Sequence, residues 1–208
     1  MYMWVRLALG AGLLSLAANA PLAGATDRDG VIVAAYGEFS ISAPTPAGMT
    51  VCHGFGCAYR TEIAFGGADR AALARMMAAG KASAAAERRA VGAAGAWFDR
   101  RIGPTAGTTR HVARAGYRHM FDKGQFDCID TSRNMTGLLL LLDRLKLLRH
   151  HDVQEPQARG YLVDGRPPHV TAVLRDRVSG TEWAVDPWTR GYGQRPEIMP
   201  LSVWKTLD

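Results

Sequence analysis

The rhythm of apolar and polar positions changes three times along the chain. Residues 31–36 and 38–41 read as extended, because β-branched and aromatic side chains crowd there before Pro44-Thr45-Pro46-Ala47-Gly48 breaks the run. Residues 50–52 and 58–65 are strand-like and flank a short loop between Cys52 and Cys57, which predicts a hairpin. From residue 68 the period becomes helical. Residues 69–79 form one candidate stopped by Gly80, and Ser83 caps a second that runs to about Arg101, stopped by Gly103-Pro104. Ala90, Val91, Ala94, Trp97 and Phe98 lie on one face of that second helix, with Trp97 and Phe98 as core. Gly92 and Gly95 each cost about 1 kcal/mol against alanine inside a helix, so close packing by another element is expected there.

Residues 105–123 lack periodicity and read as a loop with one helical turn around Tyr117, carrying His111 and His119 as surface residues. His53 reads as a structural hydrogen-bonding residue. Residues 128–148 then form a helix that is apolar on most sides, with Met135, Leu138, Leu139, Leu142 and Leu145 on one face and Leu140, Leu141, Leu147 and Leu148 on another. Such a helix is buried between layers. After His150-His151 and a polar linker at 154–156, three short strands at 158–163, 169–175 and 181–186 are separated by turn-like segments and predict an antiparallel meander. The tail, 196–204, ends in one helical turn.

The amino terminus changes the effective length. Arg6 precedes an apolar run, 7–18, and Ala23-Gly24-Ala25 has the small-x-small form of a cleavage site, so residues 1–25 read as a secretory signal peptide cut after Ala25. The run is short for the ~20 residues that span a bilayer, and no stable membrane span is expected after cleavage. Export to an oxidising compartment makes the three cysteines an arithmetic problem. Cys52 and Cys57 are expected to form a disulfide across a loop made tight by Gly54 and Gly56, with a Cys52-His53-Cys57 metal site as the weaker alternative. Cys128 is left over. The 25 basic and 19 acidic residues give +6, a mild and dispersed basicity without a nucleic-acid motif, so no nucleic-acid partner is expected.

Cys128 sits in Gly124-Gln125-Phe126-Asp127-Cys128-Ile129-Asp130-Thr131, where loop gives way to the apolar helix. A free thiol with a pKa near ~8.5 supplies little thiolate at neutral pH, and a helix N-terminus stabilises negative charge. His169, in Pro168-His169-Val170, and Asp186, in Val185-Asp186-Pro187-Trp188, supply a base and an orienting carboxylate. Their meeting depends on register. If residues 177–180 form a four-residue loop, opposed residues sum to 357 and Asp186 faces Thr171, on the same side of the sheet as His169 and ~7 Å away diagonally. A two-residue loop moves Asp186 opposite Val173, and a three-residue loop puts the pair on opposite faces.

Asp127-Cys128 at a helix start, Pro168-His169 about 41 residues on and Val185-Asp186 beyond it resemble the exported bacterial transglutaminase-like cysteine proteinases, in the transglutaminase-like branch of the papain-like fold. The likeness covers residues 124–188. It implies an α+β fold whose central buried helix carries the cysteine at its N-terminus and packs on an antiparallel sheet. Residues 26–208 would be a single domain: a strand segment at 26–67, helices and a loop at 68–123, and a catalytic core at 124–208. It also implies Cys128 as nucleophile, His169 as general base and then acid, Asp186 as orienting carboxylate, and no cofactor. The backbone N–H of Cys128, with Gln125 as second donor, is the oxyanion-hole candidate, and Trp188 a cleft wall. The family commonly has Asp-Cys-Glu-Asp. Here Ile129 stands at the third position, so no metal is expected beside Asp127 and Asp130, whose local role is helix capping.

The expected activity is that of a periplasmic or secreted cysteine hydrolase, a peptidase or amidase acting on a protein or peptide of the cell envelope. A cross-linking transglutaminase and a non-catalytic envelope interaction domain are the alternatives. A disulfide-linked dimer through Cys128 is a further one.

Overall fold

The computed structural model describes residues 28–37, 41–160 and 167–207. The expected signal peptide and cleavage site, and the expected strand residues 38–40 and 161–163, lie outside the described residues. Among the described residues the architecture is α+β, with five helices and two antiparallel sheets.

The first element corrects the sequence expectation. Residues 28–36 form a helix, α1 (Arg28–Tyr36), where 31–36 had read as extended. Val31, Ala35 and Tyr36 are its buried residues, spaced so that they share one helical face. Tertiary bonds hold it: Arg28 pairs with Asp143, and the Tyr36 hydroxyl donates to the Arg133 carbonyl at 3.0 Å. The β-branched run gave a weak strand preference that this packing overrides.

Next comes the expected hairpin, β1 (Gly48–His53) and β2 (Tyr59–Ala64), paired from Gly48 with Ala64 to His53 with Tyr59. The Cys52–Cys57 disulfide closes its loop, with Cα atoms 4.5 Å apart. Not only Gly54 and Gly56 but also Phe55 and Cys57 are left-handed, with φ between 60° and 77°.

Helices α2 (Gly67–Ala78) and α3 (Ala84–Ala106) follow, and the Ser83 hydroxyl accepts from the Ala86 N–H at 3.2 Å as the N-cap of α3. The stop expected at Gly103-Pro104 does not occur. Proline cannot donate to the carbonyl one turn back, and here that Arg100 carbonyl accepts from the Tyr192 hydroxyl instead, at 3.3 Å. Gly103 makes the room, since a Cβ there would lie 2.6 Å from the Tyr192 ring. The helix ends at Gly107, whose φ of 75° is the usual left-handed exit. The close approach expected at Gly95 is present: a Cβ would meet Met135 Cε at 2.8 Å and Pro196 at 3.1 Å. Phe98 is core, and Trp97 packs against it from the half-buried rim.

Helix α4 (Cys128–Arg144) is the centre of the molecule. Leu138 to Leu142 are all at most 1% exposed, which is possible only for a helix covered on every side. Each fully buried leucine contributes about 1.5–3 kcal/mol of transfer free energy. The helix stops before the expected 148, with Lys146 in a left-handed conformation. It packs on a four-stranded sheet in sequence order, β3 (His151–Arg159), β4 (His169–Asp176), β5 (Glu182–Asp186) and β6 (Glu197–Pro200), and a last turn, α5 (Leu201–Trp204), closes the chain. The segment expected as a linker at 154–156 is inside β3. Pro156 is tolerated there because β3 is an edge strand and the pairing slips between Gln154 and Gln157. Among the described residues no helix is long and apolar enough to cross a membrane.

Candidate active site around Cys128

Asp127 and Asp130 fix the start of α4 as a capping box: Asp127 accepts from the Asp130 N–H at 2.8 Å, and Asp130 from the Asp127 N–H at 3.3 Å. Their remaining capacity goes to the disulfide loop. The successive N–H groups of Phe55, Gly56 and Cys57 donate to Asp130 Oδ2, Asp127 Oδ2 and Asp130 Oδ1 at 2.8, 2.9 and 2.6 Å. The run of left-handed residues turns these N–H groups to one side, as a nest does for an anion. Asn134, one turn deeper, both donates to and accepts from the Cys52 backbone at 2.8 Å. The hairpin therefore clamps the first two turns of the helix that carries the thiol. All four carboxylate oxygens face backbone N–H groups, so the pair does not fit a cation. Burial, then the Asp127 charge, pushes Asp130 up to about 7 against the pull of the loop N–H groups.

Cys128 is half-buried and outside any disulfide. Burial pushes its thiol up to about 11; the Asp127 and Asp186 charges add to the rise, while the N–H groups of Val170 and of Cys128 itself oppose it by hydrogen bonding to the sulfur. Val170, the residue after His169, and Asp186 both act on the thiol, which puts Cys128 at the end of the sheet that carries His169.

The hairpin register is the one required. Ala172 pairs with Val185 and Arg175 with Glu182, each summing to 357, and Asp176 N–H donates to the Thr181 carbonyl across the four-residue loop. His169 Nε2 lies 2.6 Å from Asp186 Oδ2. Because a carboxylate only accepts, Nε2 is the donor in this bond, and the neutral ring so held has its lone pair at Nδ1. Nδ1 is buried and has no hydrogen-bond partner. Asp186 is itself held by the Trp188 N–H at Oδ1, 3.2 Å, and the Trp204 indole N–H at Oδ2, 2.9 Å. The imidazole is flanked by both indoles, its centroid 4.6 Å from the Trp188 ring and 5.3 Å from Trp204.

The tail that supplies Trp204 has no sequence feature pointing to this contact. Trp188, expected as a cleft wall, covers the imidazole. Gln125 is used differently from the oxyanion expectation: its Oε1 accepts from the Val112 N–H at 2.9 Å and its Nε2 donates to the Arg110 carbonyl at 3.3 Å, so both ends of the amide pin the preceding loop. His111, expected at the surface, is buried and paired with Asp99 at 3.0 Å. His53 is structural, between the Lys123 carbonyl and Thr61.

An open cleft of about 270 Å³ lies against Ile129 and Val170, the residues following Cys128 and His169, and is bounded by Ala34, Ala35, Ser132 and Pro156. Cys128 and His169 themselves are not among its lining residues. No family model, curated protein or solved structure matches this chain.

Proposed function

We propose that the protein is an exported cysteine hydrolase, a peptidase or amidase, of the transglutaminase-like branch of the papain-like fold. The observation that carries the reading is the buried, unpartnered Nδ1 of His169, oriented by Asp186 at its other nitrogen, with the next residue, Val170, and Asp186 both acting on the Cys128 thiol. A lone pair left without a donor inside a protein is costly unless something uses it. The thiol proton is the candidate.

Burial holds the thiol in its protonated form, so the reading uses general-base transfer. His169 Nδ1 takes the thiol proton as sulfur bonds to the carbonyl carbon of the amide. The negative charge moves to the carbonyl oxygen, stabilised by the backbone N–H of Cys128 at the start of α4. The C–N bond then breaks, His169 protonates the leaving amine, and a thioester remains on Cys128. Water, deprotonated by His169, attacks the thioester, releases the acid and restores the thiol. An amine in place of water would make the same site a cross-linking enzyme.

The buried, high-pKa thiol favours one rival, a non-catalytic interaction domain that keeps the fold. Iodoacetamide labelling of residues 26–208 between pH 6 and 8 separates them. The enzyme reading expects Cys128 to label at least about ten-fold faster with His169 present than in His169→Ala. Equal rates, with no amide turnover lost on Cys128→Ala, would leave the interaction domain.

A further inference from the structure

A second concave site lies between α3 and β6, and none of Cys128, His169 or Asp186 lines it. It is an open cleft of about 350 Å³ with Arg88, Arg89 and Arg195 at its wall and Ala85, Pro196 and Ile198 among its other lining residues. No acidic side chain is among the described residues lining it.

Arg88 is fixed in place before any ligand arrives. Its guanidinium lies 3.6 Å from the centroid of the Trp183 ring, and Nη1 donates to His151 Nε2 at 3.1 Å. The nearest carboxylate is Asp176, at 3.7 Å, whose other oxygen is taken by the Val178 and Ser179 N–H groups. Glu87, beside it in sequence, is spent on His151 and the backbone of 149–151. Burial lowers the Arg88 guanidinium from its ordinary value, Asp176 opposes the fall, and the Arg89 charge adds to it. The Arg89 and Arg195 side chains are exposed and make no hydrogen bond or ion pair among the described residues. Asp176, the carboxylate near Arg88, is not among the residues lining the cleft.

We propose that this cleft binds a phosphate group. Planar guanidinium forks match the oxygens of phosphate, whose charge is greater than that of a carboxylate. An arginine already held on an indole face loses less freedom on binding than a mobile one. The small apolar residues of the floor leave the anion to the guanidinium wall and give room for an organic substituent.

The test titrates inorganic phosphate into residues 26–208 by calorimetry, with sodium chloride at equal ionic strength as reference. Saturable phosphate binding without a chloride counterpart is expected. Arg89→Gln and Arg195→Gln, both at exposed positions outside the candidate active site, should each weaken it about five-fold, and the double variant should abolish it. Phosphate behaving as chloride does, or a correctly folded double variant binding as the parent does, overturns the proposal. Co-sedimentation with phosphatidylglycerol vesicles identifies the source. Arginine-dependent sedimentation assigns a lipid headgroup, and phosphate binding without sedimentation assigns a soluble phosphate ester.

Discussion

His169 and His151 each begin a strand of the same sheet, and each is buried against a carboxylate, but the two pairs are finished differently. His151 Nδ1 donates to Glu87 at 2.9 Å, and its Nε2 accepts from Arg88 at 3.1 Å. Glu87 also accepts the N–H groups of 149, 150 and 151. Burial raises its carboxyl, but the bonds from His151 and these N–H groups prevail and leave it lowered. Every polar position there is filled, which makes a lock between α3 and β3. At the His169 pair the carboxylate is equally well held, yet one ring nitrogen is left without a hydrogen-bond partner. A saturated pair stabilises; a pair with one lone pair unspent can move a proton.

The widest separation between the two pairs is expected from deleting the active members. Cys128→Ala and His169→Ala should each lower amide turnover per folded molecule by about 10³–10⁴-fold, whereas His151→Ala should leave it unchanged. Turnover normalised to folded protein measures both. A His151 effect as large as the His169 effect would erase the distinction.

Stability should show the reverse ranking. Glu87→Ala strands three backbone N–H groups and His151 in the interior, and about 3–5 kcal/mol of unfolding free energy should be lost in denaturant titration. Trp204→Phe is a finer probe, because it keeps the ring beside His169 and removes one donor to Asp186. About 1 kcal/mol of stability and a several-fold loss of kcat are expected, with KM little changed. An equal loss in kcat and rise in KM would mean that Trp204 shapes the cleft instead.

The smallest effect concerns the clamp on α4. With the Asp130 carboxyl raised to about 7, the folded state holds its proton over a pH range in which the unfolded chain has released it. Its contribution is therefore greatest below about pH 4 and declines as pH rises through about 7. Asp69, Glu87 and Asp176 are lowered, so their contributions are already complete above the ordinary carboxylate range and are flat between pH 5 and 8. Unfolding free energy at pH 5 should exceed that at pH 8 by an amount that Asp130→Asn reduces. No reduction would place the titration elsewhere.

Several of these features are legible in the chain itself, and the reason is local. Asp127 three residues before Asp130, ahead of an unbroken leucine run, specifies where α4 begins and that it is buried. Two glycines between Cys52 and Cys57 allow the loop that the disulfide closes. Four turn residues between β4 and β5 set a parity, and parity alone puts Asp186 on the face of His169. Each follows from neighbours in sequence, where spacing and backbone sterics act directly.

The remainder was decided by partners distant in sequence. Residues 31–36 carry a strand-like composition and became helix because Tyr36 reaches Arg133 and Arg28 reaches Asp143. The α3 helix crosses Pro104 because Tyr192 satisfies the carbonyl that proline cannot. Trp204 bonds Asp186, Glu87 collects three N–H groups from 149–151, and the disulfide loop spends its own on Asp127 and Asp130, with no spacing rule joining any of these pairs. Hydrogen-bond satisfaction in a closed core is a condition on the whole fold. Composition names the donors and acceptors; only the packed structure determines which are consumed, and here it leaves one nitrogen of the His169 imidazole unspent.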